Sequence, residues 1–187
     1  EIFALNWDQK LTQLDAKECD CIWAGMTILD SMKEAGYVIS EPYYDNTQVL
    51  LVKADSGYKT SKDLAGKTVA VQLGTSGETL LNGNLSDLKA SFANVVTCNS
   101  FLSCFTELGG GSVDYPVAAA YAAENEGYYI IDEQLGAEQY GIAFRSGDQK
   151  LCDQIQAAVD QLVENGTYAK IAEKYPDIVN NLIFLNK

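Results

Sequence analysis

An apolar run from Val69 to Leu73 breaks into Gly74-Thr75-Ser76-Gly77 and passes at once into Glu78-Thr79-Leu80-Leu81, which suits a helix. This junction constrains the fold more than any other stretch. A short continuous apolar run bounded by turn residues reads as a fully buried strand. Strands alternating with helices in this way point to an α/β chain. The first turn of a helix carries N–H groups without intrahelical partners and the positive end of the dipole. Hydroxyls add donors, and glycine lets a ligand come close to the backbone. The junction therefore suits an anion. A nucleotide-phosphate loop needs Gly-x-x-x-x-Gly-Lys-Ser/Thr. The next lysine after Gly77 is Lys89, so a carboxylate is favoured over a phosphate. The plainer alternative is that Thr75 or Ser76 caps the helix.

The same alternation runs through the chain. Residues 19–28 (CDCIWAGMTI) predict a buried strand ending in a glycine turn, and residues 48–54 (QVLLVKA) a second strand. Residues 60–73 predict a short helical turn closed by Gly66, then a strand. Leu85, Leu88, Phe92 and Val95 fall on one helical face. Residues 101–108 (FLSCFTEL) predict a helix stopped by Gly109-Gly110-Gly111. YYIID and YGIAFR are short strands. Leu151, Ile155, Val159 and Leu162 have helix spacing up to Asn165-Gly166, and a last helix stops before Pro176. Strands alternating with helices make the class α/β. The 187 residues suffice for one ordinary domain or two small lobes, and the 47% hydrophobic content supports a true core.

Charge and composition exclude several functions. Lys and Arg total 13 against 26 Asp and Glu, a net charge of −13. Nucleic acid is bound largely through Lys and Arg, and anionic lipid through basic patches, so neither is an expected partner. There is no histidine. A Ser-His-Asp or Cys-His device cannot be assembled, and the commonest neutral metal ligand is missing. No metal and no cofactor are implied. No stretch approaches the roughly 20 apolar residues that span a bilayer. Glu1 opens directly into Ile2-Phe3-Ala4-Leu5 without a signal segment, which fits a mature, truncated or cytosolic chain. Cys19-x-Cys21 lacks zinc-knuckle spacing. Cys98 and Cys104 either pair or remain small buried hydrophobes.

Several segments, in order and over nearly the whole chain, resemble one family: AGMTI at 24–28, SEPYYDNTQVLLV, DLAGKTVAVQLGTSGE, EQYGIAFRSGD and QLVENGTYAKIAEKYP. The chain is similar to the extracytoplasmic solute-binding proteins of polar amino-acid ABC transporters. The resemblance implies an α/β, two-lobed periplasmic-binding-protein type II fold with hinge-crossing strands. It places lobe 1 at residues 1–53 and 140–187 and lobe 2 at 54–139. It also implies a non-enzymatic protein that shuts a free amino acid between its lobes and delivers it to a permease outside the cytoplasm. In that family the Gly-Thr-Ser-Gly turn cradles the ligand carboxylate, which points to Thr75 and Ser76. Trp7 stands where the family places an aromatic wall, although it also suits a core. Ala24, Gly25, Met26 and Thr27 match the segment offering carbonyls and a hydroxyl, and Gln72 stands where some members have a lysine. Asp114 begins Asp-Tyr-Pro-Val and matches the counter-ion of the ligand ammonium. A shorter approach to that motif leaves Ala119 as the alternative occupant of the position.

Two further departures temper the resemblance. The family's first strand and helix, which precede Asn6-Trp7-Asp8, are absent from the chain. An incomplete first lobe and self-association through its edge are therefore expected. The arginine that follows Gly-Met-Thr-Ile is replaced by Met32 or Lys33, so no bidentate clamp is available. Together with Gln72 this leans toward a neutral or cationic ligand side chain. The rival readings are a degenerate module that no longer binds, and an amino-acid-pathway dehydratase on the same fold, which would need an acid or base such as Asp114.

Overall fold

The computed structural model describes residues 1–108 and 111–185. Along the chain, a 3-10 turn at Trp7–Gln9 leads into α1 (Lys10–Asp15), α2 (Asp30–Glu34), β1 (Val38–Ile39) and β2 (Tyr44–Lys53). There follow β3 (Thr68–Gln72), α3 (Ser76–Asn82), α4 (Ser86–Ser91), β4 (Asn94–Cys98) and α5 (Phe101–Leu108). The remainder comprises β5 (Gly111–Asp114), α6 (Tyr115–Glu124), β6 (Tyr128–Ile130), β7 (Gly136–Tyr140), β8 (Ala143–Phe144), α7 (Gln149–Glu164) and α8 (Thr167–Ala172).

The chain divides into two compact α/β units. Glu1–Leu5, Gln9–Asn46 and Glu138–Lys187 form the first, and Asn6–Asp8 with Thr47–Ala137 the second. The changes of unit fall inside β2, after Asn46, and inside β7, after Ala137. The boundaries read from the sequence, after 53 and 139, lie further along the chain. A strand's backbone hydrogen bonding does not stop where its burial partners change, so one strand can serve both units.

The second unit is built on strands in the order β4-β3-β5-β2-β6. β3 pairs in parallel with β4 and with β5, while β2 is antiparallel to β5 and β6. The apolar run of β2 follows from its central place. Val49 and Leu51 enter one core with Ala70, Val113, Cys104 and Phe105, and Leu50 and Val52 enter another with Val69, Val71, Leu81 and Ile131. Successive side chains on a strand point to opposite faces, so burial on both faces demands an unbroken apolar run. Each such side chain contributes about 1.5–3 kcal/mol when fully buried.

The first unit holds a smaller sheet in which β8 pairs with β1 and bridges to Ile22. One end of α7 covers it, with Cys152 joining Ile142 and Phe144 in a cluster against which Leu151 and Ile155 pack. Val159 is buried, whereas Leu162 at the far end of the stripe is 37% exposed. Gly166, with φ +75°, breaks the path between α7 and α8 as expected of a left-handed helix-ending position.

Two local expectations are corrected. Residues 19–28 form no strand: Ile22 and Thr27 make isolated bridges to Ala143 and Tyr140. The amide of Met26 donates to the carbonyl of Ala24 at 2.7 Å, a three-residue turn that takes the backbone off the ladder. Leu85, Leu88, Phe92 and Val95 do not share a helix, because α4 ends at Ser91 and Val95 lies on β4. All four nonetheless belong to the same core, so their spacing recorded burial and not helicity. Gly109 and Gly110, read as helix stops, lie outside the described residues. Among the described residues no helix is long and apolar enough to cross a membrane.

Candidate functional site

From the end of β3 the chain crosses through α3 and α4 to β4 on one side, and from the end of β5 it crosses through α6 to β6 on the other. β3 and β5 are parallel neighbours with diverging connections, a switch point whose carboxyl ends border a crevice in open α/β sheets. Such a switch point is where open α/β sheets bind ligands. Two groups singled out in the sequence stand there. Thr75-Ser76-Gly77 follows β3, and Asp114 ends β5.

Asp114 is only 7% exposed. It occupies the N-cap position of α6, ahead of Tyr115 and Pro116, but its side chain makes no capping hydrogen bond. Its carboxylate oxygen Oδ1 instead accepts from the side-chain amide of Gln48, its register partner on β2. The same Gln48 nitrogen donates to the hydroxyl of Ser76 at 3.1 Å. Gln48 is 1% exposed and Ser112, on β5, 3%. A Cβ on Gly77 would fall 2.7 Å from Gln48 Oε1 and 3.2 Å from Ser112 Oγ. Gly77 is thus a glycine because this polar cluster passes directly under the helix.

Thr75 is the N-cap of α3. Its hydroxyl donates to the carbonyl of Gln72 at 2.7 Å and accepts from the amide of Glu78 at 3.3 Å. The hydroxyl proton is therefore committed within the protein, and the side chain serves as the cap. Glu78 reaches back to the amide of Gly74 at 2.8 Å, close to a capping-box arrangement. The amides of Thr75, Ser76 and Gly77 find no acceptor among the described residues. Gln72, buried, donates to the carbonyl of Asn99 at 3.3 Å. Gly74 has φ +73°, and a Cβ there would sit 3.1 Å from Cα of Asp8, so the half-buried Trp7 is one residue from contact with this turn.

Ala24, Gly25, Met26 and Thr27 belong to the first unit. Ala24 and Gly25 are exposed, Thr27 is half-buried and Met26 is buried. The carbonyl of Ala24 accepts from the Tyr43 hydroxyl as well as from Met26 N. Burial first, and the neighbouring Tyr168 second, push the Tyr43 phenol well above its ordinary range. The carbonyl of Met26 accepts from the amide of Gly141 at 3.0 Å. Ala119, the alternative to Asp114, lies on α6 and offers no charge.

Gln48 escaped the sequence reading, which counted it as the first residue of an apolar strand. A polar residue heading a run buried on both faces was the available signal. All five cysteines are free; Cys98 and Cys104 share one core without bonding. Burial raises the thiols of Cys19, Cys21 and Cys152. Among the described residues no cluster of Cys, Asp and Glu is arranged to hold a metal ion.

Comparison with known proteins identifies the family and the fold. The model of the bacterial extracellular solute-binding proteins, family 3, matches residues 1–177. The L-cystine-binding protein of Escherichia coli K12 is 29% identical over 178 residues, covering 91% of this chain and 65% of its own. The ABC transporter glutamine-binding protein of Bacillus subtilis is 28% identical over 173 residues, covering 89% of this chain and 61% of its own. The chain thus spans less than two thirds of the length of these relatives. Among solved structures, an ABC uptake transporter substrate binding protein from Streptococcus pneumoniae with bound histidine superposes with a TM-score of 0.85. It is 29% identical, covering 91% of this chain and 73% of that one. A mutant of ArgBP from T. maritima gives a TM-score of 0.82 at 34% identity, covering 94% and 76%. The fold is the two-lobed type II periplasmic-binding-protein fold.

Proposed function

Starting from the fact that the chain belongs to the bacterial extracellular solute-binding proteins, family 3, a family of binders and not of enzymes, we propose that it binds a free amino acid and delivers it to the permease of an ABC transporter outside the cytoplasm. The ligand carboxylate is taken by the turn Thr75-Ser76-Gly77, through its amides and the Ser76 hydroxyl. The ligand ammonium is taken by Asp114. Trp7 flanks the ligand beside that turn, and Gln72 faces it from the end of β3.

One observation carries this reading. A buried carboxylate that declines its own helix cap is held by the same amide as a helix-opening hydroxyl, at the crevice between two parallel strands. An α-amino acid presents a carboxylate and an ammonium one carbon apart, and the crevice offers a partner for each. The relatives and neighbours carry the names of different amino acids, cystine, glutamine and histidine among them. The class of ligand is therefore supported more strongly than any one member.

Thermal unfolding with each of the twenty standard L-amino acids and L-cystine tests the reading. A ligand at 100 times its Kd stabilises by about 2.7 kcal/mol. At least one should raise the Tm, and its carboxamide should bind more weakly by about 1.5–3 kcal/mol, the worth of a charge-assisted hydrogen bond. A flat response to all of them, or equal affinity for acid and amide, removes the assignment.

A further inference from the structure

We infer that Gln48 is the positioning residue of this crevice: its side-chain amide orients Asp114 as an acceptor and Ser76 as a donor, so that the crevice recognises a zwitterion. The inference rests on the reading of the site given above and adds to it a residue that never touches the ligand.

The argument follows from what one amide can donate. The Gln48 nitrogen carries two protons. One goes to Asp114 Oδ1 and the other to Ser76 Oγ, 3.1 Å away. This orientation is dictated by chemistry, because a rotated amide would set its own oxygen against the carboxylate. Oxygen and nitrogen of an amide are assigned from such networks. Each bond has a consequence. By holding one oxygen of Asp114, the hydrogen bond from Gln48 fixes the direction in which the carboxylate presents its charge. A hydrogen bond accepted by Ser76 fills a lone pair of its hydroxyl and leaves the proton to be donated elsewhere, as a carboxylate requires. Thr75 cannot do this, since its own proton goes to the carbonyl of Gln72.

The fold holds Gln48 beside Asp114. It is 1% exposed, and its place opposite Asp114 is set by the pairing of β2 with β5. Its oxygen lies against Gly77, where any side chain would displace it. Gln48 also follows the point where β2 enters the second unit, at Thr47. One buried side chain thus links the groups proposed for the two charged ends of the ligand to each other and to the central strand of the unit.

The test uses calorimetry on the full chain and on Gln48→Met, which keeps the volume and removes both donors. The probes are the tightest-binding standard L-amino acid, its des-amino acid and its decarboxylated amine. Wild type should prefer the amino acid over both analogues by roughly 30-fold or more. Gln48→Met should lower that preference at least about tenfold. In its background Asp114→Asn should cost less than it does in wild type, since the two act as one unit. A Gln48→Met protein that keeps the wild-type preference while Asp114→Asn loses it overturns the inference and leaves the site reading standing. Equal weakening for the amino acid and both analogues reveals a structural role and also overturns it. Wild type binding no amino acid overturns both. If Gln48→Met does not fold, Gln48→Asn, one methylene too short to reach both partners, is expected to show the same collapse of preference.

Discussion

Asp114 stands at the N-cap of α6 and gives its carboxylate to Gln48 on the neighbouring strand, not to the helix it precedes. The arrangement separates two roles that the sequence leaves entangled. A capping aspartate exchanges for asparagine almost without loss. An asparagine side chain at this position would also keep an oxygen for Gln48, so the free protein has little to lose. A counter-ion behaves otherwise, because the charge disappears while the shape remains. Truncating one partner of a buried charge pair costs on the order of 2–5 kcal/mol in binding. Asp114→Asn should therefore leave the Tm of the free protein nearly unchanged and weaken amino-acid binding by roughly 30-fold or more. A lower Tm with intact affinity, by calorimetry on the same samples, would make Asp114 structural.

How much of this was legible depends on how far apart the interacting residues lie. The turn from β3 into α3 is local chemistry, and the helix start at Ser76 was readable from Gly74 to Glu78 alone. The strand character of β2 was readable because a strand buried on both faces cannot hide its composition. Gln48 was not, since its meaning depends on a partner 66 residues away. Val95 was misplaced for a related reason: helix spacing and burial from two different elements produce the same pattern over a short window. The tight turn from Ala24 to Met26 cost the first unit a predicted strand, because periodicity carries no information about a three-residue backbone reversal.

Two glycines in the second unit should respond differently to alanine. At Gly77 the new Cβ meets Gln48 Oε1 and Ser112 Oγ, both side-chain ends that can swing away. At Gly111 it would meet the backbone oxygen of Ala70 on β3, which cannot move without opening the sheet. Gly77→Ala should cost about 1–2 kcal/mol of stability, and Gly111→Ala about 3 kcal/mol or more. Gly77→Ala should also impair amino-acid binding beyond its effect on stability, because Gln48 is displaced. Urea unfolding that gives both variants equal losses would contradict this account.

Arg145, the single arginine of the chain, is a fastener of the first unit. Its guanidinium donates to the carbonyl of Leu14 at 3.3 Å and to that of Cys19, and forms an ion pair with the carboxylate of Asp148 at 2.8 Å. The arm toward Asp20, at 3.6 Å, reaches a side chain that is 89% exposed. A lysine ammonium cannot fork in these directions at once. Arg145→Lys should cost about 1–3 kcal/mol by chemical denaturation, through carbonyls left without donors. Asp20→Asn should stay within about 0.5 kcal/mol, as exposed ion pairs contribute little. A tolerated lysine together with a costly Asp20→Asn would reverse this ranking.

Tyr37 makes the stability of the first unit depend on alkaline pH. Its hydroxyl donates to Asp15 Oδ2 at 2.6 Å, tying β1's approach to the end of α1. That hydrogen bond, then burial, then the charge of Asp15 push the phenol from 10 up to about 12. The folded protein therefore holds the proton more tightly than the unfolded chain does. Linkage fixes the sign: the stabilisation is complete below pH 10 and is lost as pH rises through about 12. Tyr37→Phe removes the titrating group and the bond together. The stability difference between wild type and Tyr37→Phe should be constant up to pH 10 and shrink as pH rises toward about 12, read from urea midpoints at each pH. Comparison with the variant is needed because burial also raises the phenols of Tyr43, Tyr121 and Tyr168. Those three contribute equally to both proteins and cancel in the difference. A difference that stays constant to pH 12 would mean that the Tyr37 proton is not held by Asp15.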